Sequence, residues 1–207
     1  MEVVSIKTLS MDENIYIVIN EKNSKALLID PGDNSETILK TLNERNVTLD
    51  AILLTHGHFD HIGALSKVKK ATGAPVYIHK NDADMLSDAI KNLSLICFGY
   101  NLTTVQADKL LNGGEVLDLA GLSIKVLNTP GHTPGCVSYI IEDAIFTGDT
   151  LFYRNIGNTS FPHSDEGQIR HSVKVVLGGL QKDYIVYPGH GPKTTLKDEK
   201  LNNVFFV

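Results

Sequence analysis

The sequence predicts a mixed α/β fold in which two β-sheets pack face to face, each backed by helices. Three observations carry this reading. The chain runs strands, helix, strand, helix, strand, helix and then strands, helix, strand, so two β/α halves follow one another. No Pro/Ser-rich linker, low-complexity stretch or charge block separates them. The 207 residues, 42% hydrophobic and 21% charged, are enough to bury roughly 70% of the unfolded chain's surface without disulfide staples. One domain over residues 1–207 is therefore expected.

The elements follow in order. Val3–Thr8, Ile15–Ile19 and Ala26–Ile29 are short runs rich in Val and Ile, as strands favour. The third stops at Asp30-Pro31-Gly32-Asp33, where proline fixes φ and glycine tolerates a positive φ, so a three-stranded meander is expected. From Ser35 to Asn46, residues Ile38, Leu39 and Leu42 keep helical spacing behind a cap at Asn34 or Ser35. Ala51–Leu54 is wholly apolar, as in a strand buried on both faces. His61–Thr72 is predicted helical, with Ile62, Leu65 and Val68 on one stripe and Gly73-Ala74-Pro75 as the stop. Pro75–His79 is predicted as a strand, Asn81–Asn92 as a helix and Leu93–Ala107 as irregular. The β signal returns at Val116–Leu119, Leu122–Asn128, Cys136–Ile141 and Ala144–Thr147. Glu166–Leu180 places Ile169, Val173, Val176, Leu177 and Leu180 at helical spacing, and Asp183–Val186 is the last predicted strand.

Composition narrows the function. With 19 Lys+Arg against 24 Asp+Glu and no basic cluster, the net charge of −5 argues against a nucleic-acid groove or a polybasic membrane surface. No apolar run approaches the ~18 residues of a membrane span, and the first twenty residues hold no apolar core of a secretory signal. The two cysteines, Cys97 and Cys136, form no CxxC pair and fit a reducing compartment. A cytoplasmic protein acting on a small molecule is the expectation. Eight histidines stand beside those two cysteines, and their placement is informative.

Four apolar runs end abruptly in residues that bind metals. AILLT leads into His56-Gly57-His58-Phe59-Asp60-His61, IKVLNTPG into His132, DAIFTG into Asp149, and YIVYPG into His190. Side chains just beyond strand ends tend to converge on a cleft. In an extended segment His56, His58 and Asp60 point the same way, and a turn into the following helix brings His61 round. Seven imidazole and carboxylate donors are too many for one tetrahedral ion and suit two ions sharing a carboxylate. Gly131, Gly148 and Gly189 each precede one of these donors, fitting tight turns where backbone passes close to the site. His79, His163 and His171 follow no such run and are expected to play no metal role. Cys136 reads as a small buried hydrophobe, Cys97 has no neighbouring charge to lower its pKa, and Tyr153 and Arg154 sit in the loop beyond Asp149, in reach of either substrate or solvent.

At these residues the sequence resembles the metallo-β-lactamase superfamily. Its T-H-x-H-x-D-H motif stands here as Thr55-His56-Gly57-His58-Phe59-Asp60-His61, and the downstream His, Asp and His match His132, Asp149 and His190 in order. The flanking LIDPGD, LTHGHFDHIGAL, TPGHTPG, FTGDTLF and VYPGHGPKT extend the resemblance over most of the chain, and it is most similar to short glyoxalase II-like hydrolases, relatives of hydroxyacylglutathione hydrolase. The resemblance implies a four-layer αββα sandwich. It implies a first metal on His56, His58 and His132, a second on Asp60, His61 and His190, and Asp149 bridging them, with Asp60 and Asp149 as the catalytic carboxylates. The cofactors implied are two divalent ions, Zn²⁺ foremost, with Fe or Mn as the other candidates. The activity implied is hydrolysis of a thioester, S-acylglutathione or similar, or of a related ester by a hydroxide held between the ions. A persulfide dioxygenase with one Fe(II) on His56, His132 and Asp149, and a metal-binding module without turnover, are the competing readings. His61 as a second-site ligand departs from zinc β-lactamases of the commonest pattern.

Two departures bear on substrate. In glutathione-using glyoxalase II the stretch after the bridging Asp reaches a Lys and then a Tyr that grip the glutathione carboxylate, whereas Asn158 and Ser160 stand at those positions here. Only residues 191–207 follow His190, so no C-terminal glutathione-binding helical region is expected.

Overall fold

In the computed structural model, which describes residues 1–8, 11–99 and 105–206, strands β1 (Glu2–Lys7), β2 (Asn14–Asn20) and β3 (Lys25–Ile29) form the expected antiparallel meander. Strands β4 (Thr48–Leu53), β5 (Val76–His79) and β6 (Lys109–Leu111) then add to β3 in parallel, giving a mixed sheet in the order β1-β2-β3-β4-β5-β6. The second sheet contains β7 (Val116–Leu119), β8 (Leu122–Asn128), β9 (Val137–Ile141), β10 (Ala144–Gly148), β13 (Ile185–Pro188) and β14 (Thr194–Thr195). Its order is β14-β13-β10-β9-β8-β7, with β10 and β13 parallel and the remaining pairs antiparallel. A two-stranded hairpin, β11 (Leu151–Phe152) and β12 (Asn155–Ile156), lies between β10 and β13 in the chain.

Side chains alternate across a strand, and here the alternation sorts the apolar residues into three layers of core. Tyr16, Val18, Leu27, Ile29 and Leu53 from the first sheet meet Ile124, Val126, Val137, Tyr139 and Phe146 from the second. The opposite face of the first sheet, with Ile17, Leu28 and Ile52, packs on Ile38 and Leu42 of α1 (Ser35–Glu44) and Leu65 and Val68 of α3 (Leu65–Thr72). The outer face of the second sheet, with Ile145 and Val186, packs on Ile169, Val173, Leu177 and Leu196. This is the expected αββα sandwich. β2 and β4 are buried on both faces because each lies inside a sheet covered on both sides.

Several element boundaries differ from expectation for local reasons. The helix expected over His61–Thr72 is two, α2 (Phe59–Ile62) and α3, because Gly63 is pressed against the Gly32 carbonyl and Ala64 donates its N–H to Pro31. The helix expected over Asn81–Asn92 is a 3₁₀ run, Lys80–Leu86, followed by turns in which Asp88 Oδ1 accepts from the N–H groups of Ile90 and Lys91. Such side-chain bonds to local backbone compete with helix continuation. Within Leu93–Ala107, expected to be irregular, Ser94–Phe98 forms the short helix α4, and residues 100–104 lie outside the described residues. Glu166–Leu180 begins as α5 (Glu166–His171) and widens into a π-helix over Ser172–Leu177, where the Ser172 hydroxyl donates to the Pro130 carbonyl at 2.7 Å. Asn34 precedes α1, but its side chain donates to the Lys7 carbonyl instead of capping the helix. β6, the β11–β12 hairpin, β14 and α6 (Leu196–Asn202) were not anticipated, being two- or three-residue strands or a helix of seven residues.

The C-terminal ends of β4, β8, β10 and β13 carry the chain directly into His56, His132, Asp149 and His190. Among the described residues no helix is long and apolar enough to cross a membrane.

Candidate metal centre

The strand ends bring all seven expected donors to one place. Three groups have ligand atoms mutually within 4.8 Å: His56, His58 and His132; His56, His61 and Asp149; and Asp60, His61 and His190. His58 Nδ1 and His132 Nε2 stand 2.9 Å apart, near the roughly 3.3 Å separating two tetrahedral ligands of one zinc ion. Asp149 lies between the triads, with Oδ1 3.3 Å from His61 Nε2 and Oδ2 3.4 Å from His132 Nε2 and 3.7 Å from His190 Nε2. His190 Nε2 is 3.3 Å from Asp60 Oδ2.

The outer nitrogen of four of the five imidazoles has a partner, which fixes the direction of the inner one. Thr55 Oγ1 lies 3.2 Å from His56 Nδ1, Asp30 Oδ2 3.0 Å from His61 Nδ1, the Asn158 carbonyl 2.7 Å from His132 Nδ1, and the Met11 carbonyl 3.2 Å from His190 Nδ1. The inward atoms His56 Nε2, His61 Nε2 and Asp149 Oδ1 are buried and have no hydrogen-bond partner. Buried polar atoms are nearly always paired, and orphaned imidazole and carboxylate donors at this spacing are what a divalent ion requires. The donor set therefore fits one or two such ions.

Electrostatics divides the histidines. Burial, reinforced by neighbouring imidazoles, holds His56 well below the ordinary histidine range and His58 down at about 3. Burial opposes the charge on His61 too, yet the carboxylates of Asp149, Asp60 and Asp30 outweigh it and raise His61 well above that range. His190 is raised in the same way: burial is overcome by the hydrogen bond it donates to Asp60 and by the charge of Asp149. Burial favours the acid form of Asp149, but His61, His132 and His56 keep the carboxylate ionised, well below its usual range.

Glycines let the backbone approach. Gly148 has φ 48°, and a Cβ there would lie 2.2 Å from Thr55 Oγ1. A Cβ on Gly189 would lie 2.3 Å from Asp149 Oδ1 and 2.8 Å from His61 Cε1.

The sequence did not single out Asp30, Glu13 or Asp82. Asp30 ends an apolar run as the other site residues do, a signal obscured by its place in a Pro-Gly turn. Its carboxylate takes the Thr55 N–H and hydroxyl at 2.7 and 2.6 Å as well as His61. Glu13 is fully buried with Oε1 3.9 Å from His61 Nδ1, and burial raises its carboxyl well above the usual range. Asp82 accepts from the Thr133 hydroxyl at 2.6 Å, the Gly135 N–H at 2.7 Å and the Gly57 N–H, and so ties the His56–His58 loop to the His132 loop.

The other residues singled out in the sequence lie as follows. His79, His163 and His171 lie in none of the metal-competent groups: His79 Nδ1 accepts from the Asn81 N–H, His163 faces a separate small pocket with Asn81 and Pro134, and His171 is exposed on α5. Cys136 is buried and its thiol is pushed up by burial, whereas Cys97 is exposed and lines the cleft over the site. Arg154 pairs with Asp198 and Glu199 at 2.7 Å each and stacks on Tyr153, and neither lines the cleft. Asn158 does line it, and Ser160 donates its N–H to Asn158 Oδ1.

Residues 11–190 match the sequence model of the metallo-beta-lactamase superfamily. The chain belongs to that superfamily. Among superfamily members, the probable metallo-hydrolase YqgX of Bacillus subtilis (strain 168) is 38% identical over 194 residues, covering 93% of this chain and 91% of its own. The hydroxyacylglutathione hydrolase GloC of Haemophilus influenzae is 32% identical over 208 residues, covering 99% and 98%. Among solved structures, BLEG-1 B3 metallo-beta-lactamase superposes with a TM-score of 0.93 at 35% identity over 100% of both chains. TTHA1623 in a di-iron-bound form superposes with a TM-score of 0.85 at 33% identity over 98% of this chain and 100% of its own.

Proposed function

We propose that this superfamily member is a binuclear metallohydrolase of carboxylic thioesters or esters. The observation that carries the reading is the position of Asp149, whose two oxygens face His61 on one side and His132 on the other. In this reading His56, His58 and His132 would hold one ion, Asp60, His61 and His190 would hold a second, and Asp149 would be available to both. Two divalent cations so held supply Lewis acidity and a water that ionises near neutral pH.

The chain's own residues do the rest. Asp30, Thr55 and the carbonyls of Asn158 and Met11 aim the imidazole lone pairs inward. Asp60 borders the cleft, with Oδ2 3.3 Å from His190 Nε2, and its carboxylate would take up the proton released as water adds to the carbonyl carbon. The C–S or C–O bond then breaks and the thiolate or alkoxide leaves through the cleft. No protein nucleophile is needed, and the Cys136 thiol is buried away from the cleft.

The GloC relative supports a thioester, and the di-iron TTHA1623 structure supports iron beside zinc as the native metal. The single-iron dioxygenase reading leaves the Asp60–His61–His190 triad unused. The test is elemental analysis of protein purified without added metal, paired with a thioester and ester panel. Two metal equivalents, and less than a tenth of wild-type turnover in Asp149→Asn, are expected. One iron with O₂ uptake on a persulfide, or full turnover in Asp149→Asn, overturns the reading. A β-lactam belongs in the panel because the BLEG-1 likeness runs over the whole chain.

A further inference from the structure

Over the candidate metal centre opens a cleft of about 460 Å³. Apart from the five metal-site residues on its floor, its walls are Met11, Phe59, Leu93, Cys97, Phe152 and Phe161, with Asn158. These come from the β1–β2 loop, α2, the segment leading into and along α4, and the hairpin and loop after Asp149, so apolar side chains from four parts of the chain make up most of the wall above the floor. Among the described residues no Lys or Arg lines the cleft. Of the two cations nearest in sequence to the walls, Arg154 is committed to Asp198 and Glu199 and Lys91 to Asp84. The sequence holds no Lys or Arg at 9–10 or 100–104 either. Asn158 is neutral, and its Oδ1 already accepts from the Ser160 N–H. At the mouth, Phe161 is 36% and Met11 45% exposed, large apolar surface left in water beside a site.

We propose that the substrate is an uncharged ester or thioester with an apolar acyl chain seated between Phe59, Leu93, Phe152 and Phe161, and that this chain does not recognise glutathione. The proposal rests on the hydrolase reading above for the bond that is cleaved. A glutathione adduct brings two carboxylates and an ammonium, and a β-lactam brings an ionised carboxylate. Desolvating such groups against phenylalanine, with no opposite charge to pair them, is unfavourable. An alkyl chain gains from the same wall with every methylene removed from water.

The test uses the zinc-loaded full chain. Binding of the hexyl thioether of N-acetylcysteamine, which is neutral and cannot be hydrolysed, is compared by calorimetry with binding of S-hexylglutathione. Turnover is measured on the acetyl, butyryl and hexanoyl thioesters of N-acetylcysteamine and on hexanoylglutathione. We expect the neutral thioether to bind at least as tightly as S-hexylglutathione, and kcat/KM to rise about fourfold per added methylene. Phe161→Ala flattens that series, and Asn158→Lys shifts the binding preference toward S-hexylglutathione. Tenfold tighter binding of S-hexylglutathione by the wild-type chain, a flat chain-length series, or no binding of the neutral thioether overturns the proposal. Binding of the neutral hexyl thioether at least as tight as that of S-hexylglutathione, with no turnover of any thioester, leaves the recognition standing and sinks the hydrolase reading, whereas turnover confined to glutathione thioesters does the reverse.

Discussion

Asp30 Oδ2 lies 3.0 Å from His61 Nδ1, while Oδ1 of the same carboxylate accepts the Thr55 N–H at 2.7 Å. The second contact fixes which oxygen faces the histidine. His61 therefore donates through Nδ1, and a metal that displaced the Nε2 proton now facing Asp149 Oδ1, 3.3 Å away, would meet the Nε2 lone pair.

Replacing Asp30 with Asn tests this tautomer argument. The Thr55 N–H keeps the amide oxygen, so the amide NH₂ is forced against His61 Nδ1. His61 then accepts there and carries its proton on Nε2, pointing it at the candidate metal. Outer partners of metal-bound histidine contribute ~10–100-fold in affinity, so titration of metal-stripped Asp30→Asn should show one tight equivalent where the wild type shows two. Two equivalents at wild-type affinity would contradict the assignment.

Asp82 holds two ligand loops together without touching a ligand. Its carboxylate accepts from Thr133, Gly135 and Gly57 in a buried setting, and burial lifts its pKa to about 6 against those three bonds. Asp82→Ala strands three buried donors at ~1–3 kcal/mol each before relaxation. A loss of about 3 kcal/mol in urea unfolding is expected, and Asp82→Asn should recover part of it. A loss under ~1 kcal/mol for Asp82→Ala would show that the loops hold their places without the clamp.

Metal-stripped protein should lose stability as pH rises above neutrality. His61 and His190 are raised in the fold above the ordinary value of 6.5. Their contribution is complete below pH 6.5 and fades as pH climbs through the folded values, because the folded chain then holds protons that the unfolded chain has released. Glu13, raised well above 4.5, acts in the same direction. The slope is at most ~1.4 kcal/mol per pH unit for each proton held. Zinc takes the place of those protons, so the loaded protein should gain stability over the same range. Calorimetric Tm values at pH 6.5 and 8.5, with chelator and with zinc, check this, and a stripped Tm that rises with pH would refute it.

The sandwich and the seven donors were legible because both are written in local signals. An apolar run such as AILLT reads as a buried strand, and the polar residues after it read as a strand-end site. What was not legible depends on tertiary contact. The helix at His61–Thr72 breaks because Gly63 meets Gly32 across the fold, and Asp82 matters only because Thr133 and Gly57 come to it from distant loops. Glu13 looks like a surface acid in Met11-Asp12-Glu13-Asn14, and only the closing of the β1–β2 loop against His190 buries it.

Gly189 tests whether the site's precision lies in its backbone. Its φ is not in the left-handed region, so alanine is conformationally permitted there. The obstacle is steric, because the new Cβ would lie 2.3 Å from Asp149 Oδ1 and 2.8 Å from His61 Cε1. Neither group can yield cheaply. Asp149 is fixed between His61 and His132, and His61 is fully buried and bonded to Asp30. The methyl must therefore displace the β13 end that carries His190, or push Asp149 from between the triads. Packing of the two sheets lies elsewhere, so Gly189→Ala should fold with a Tm within several degrees of wild type while its second metal equivalent weakens at least tenfold. If metal titration of Gly189→Ala matched wild type, the close approach at the strand end would be incidental to the site.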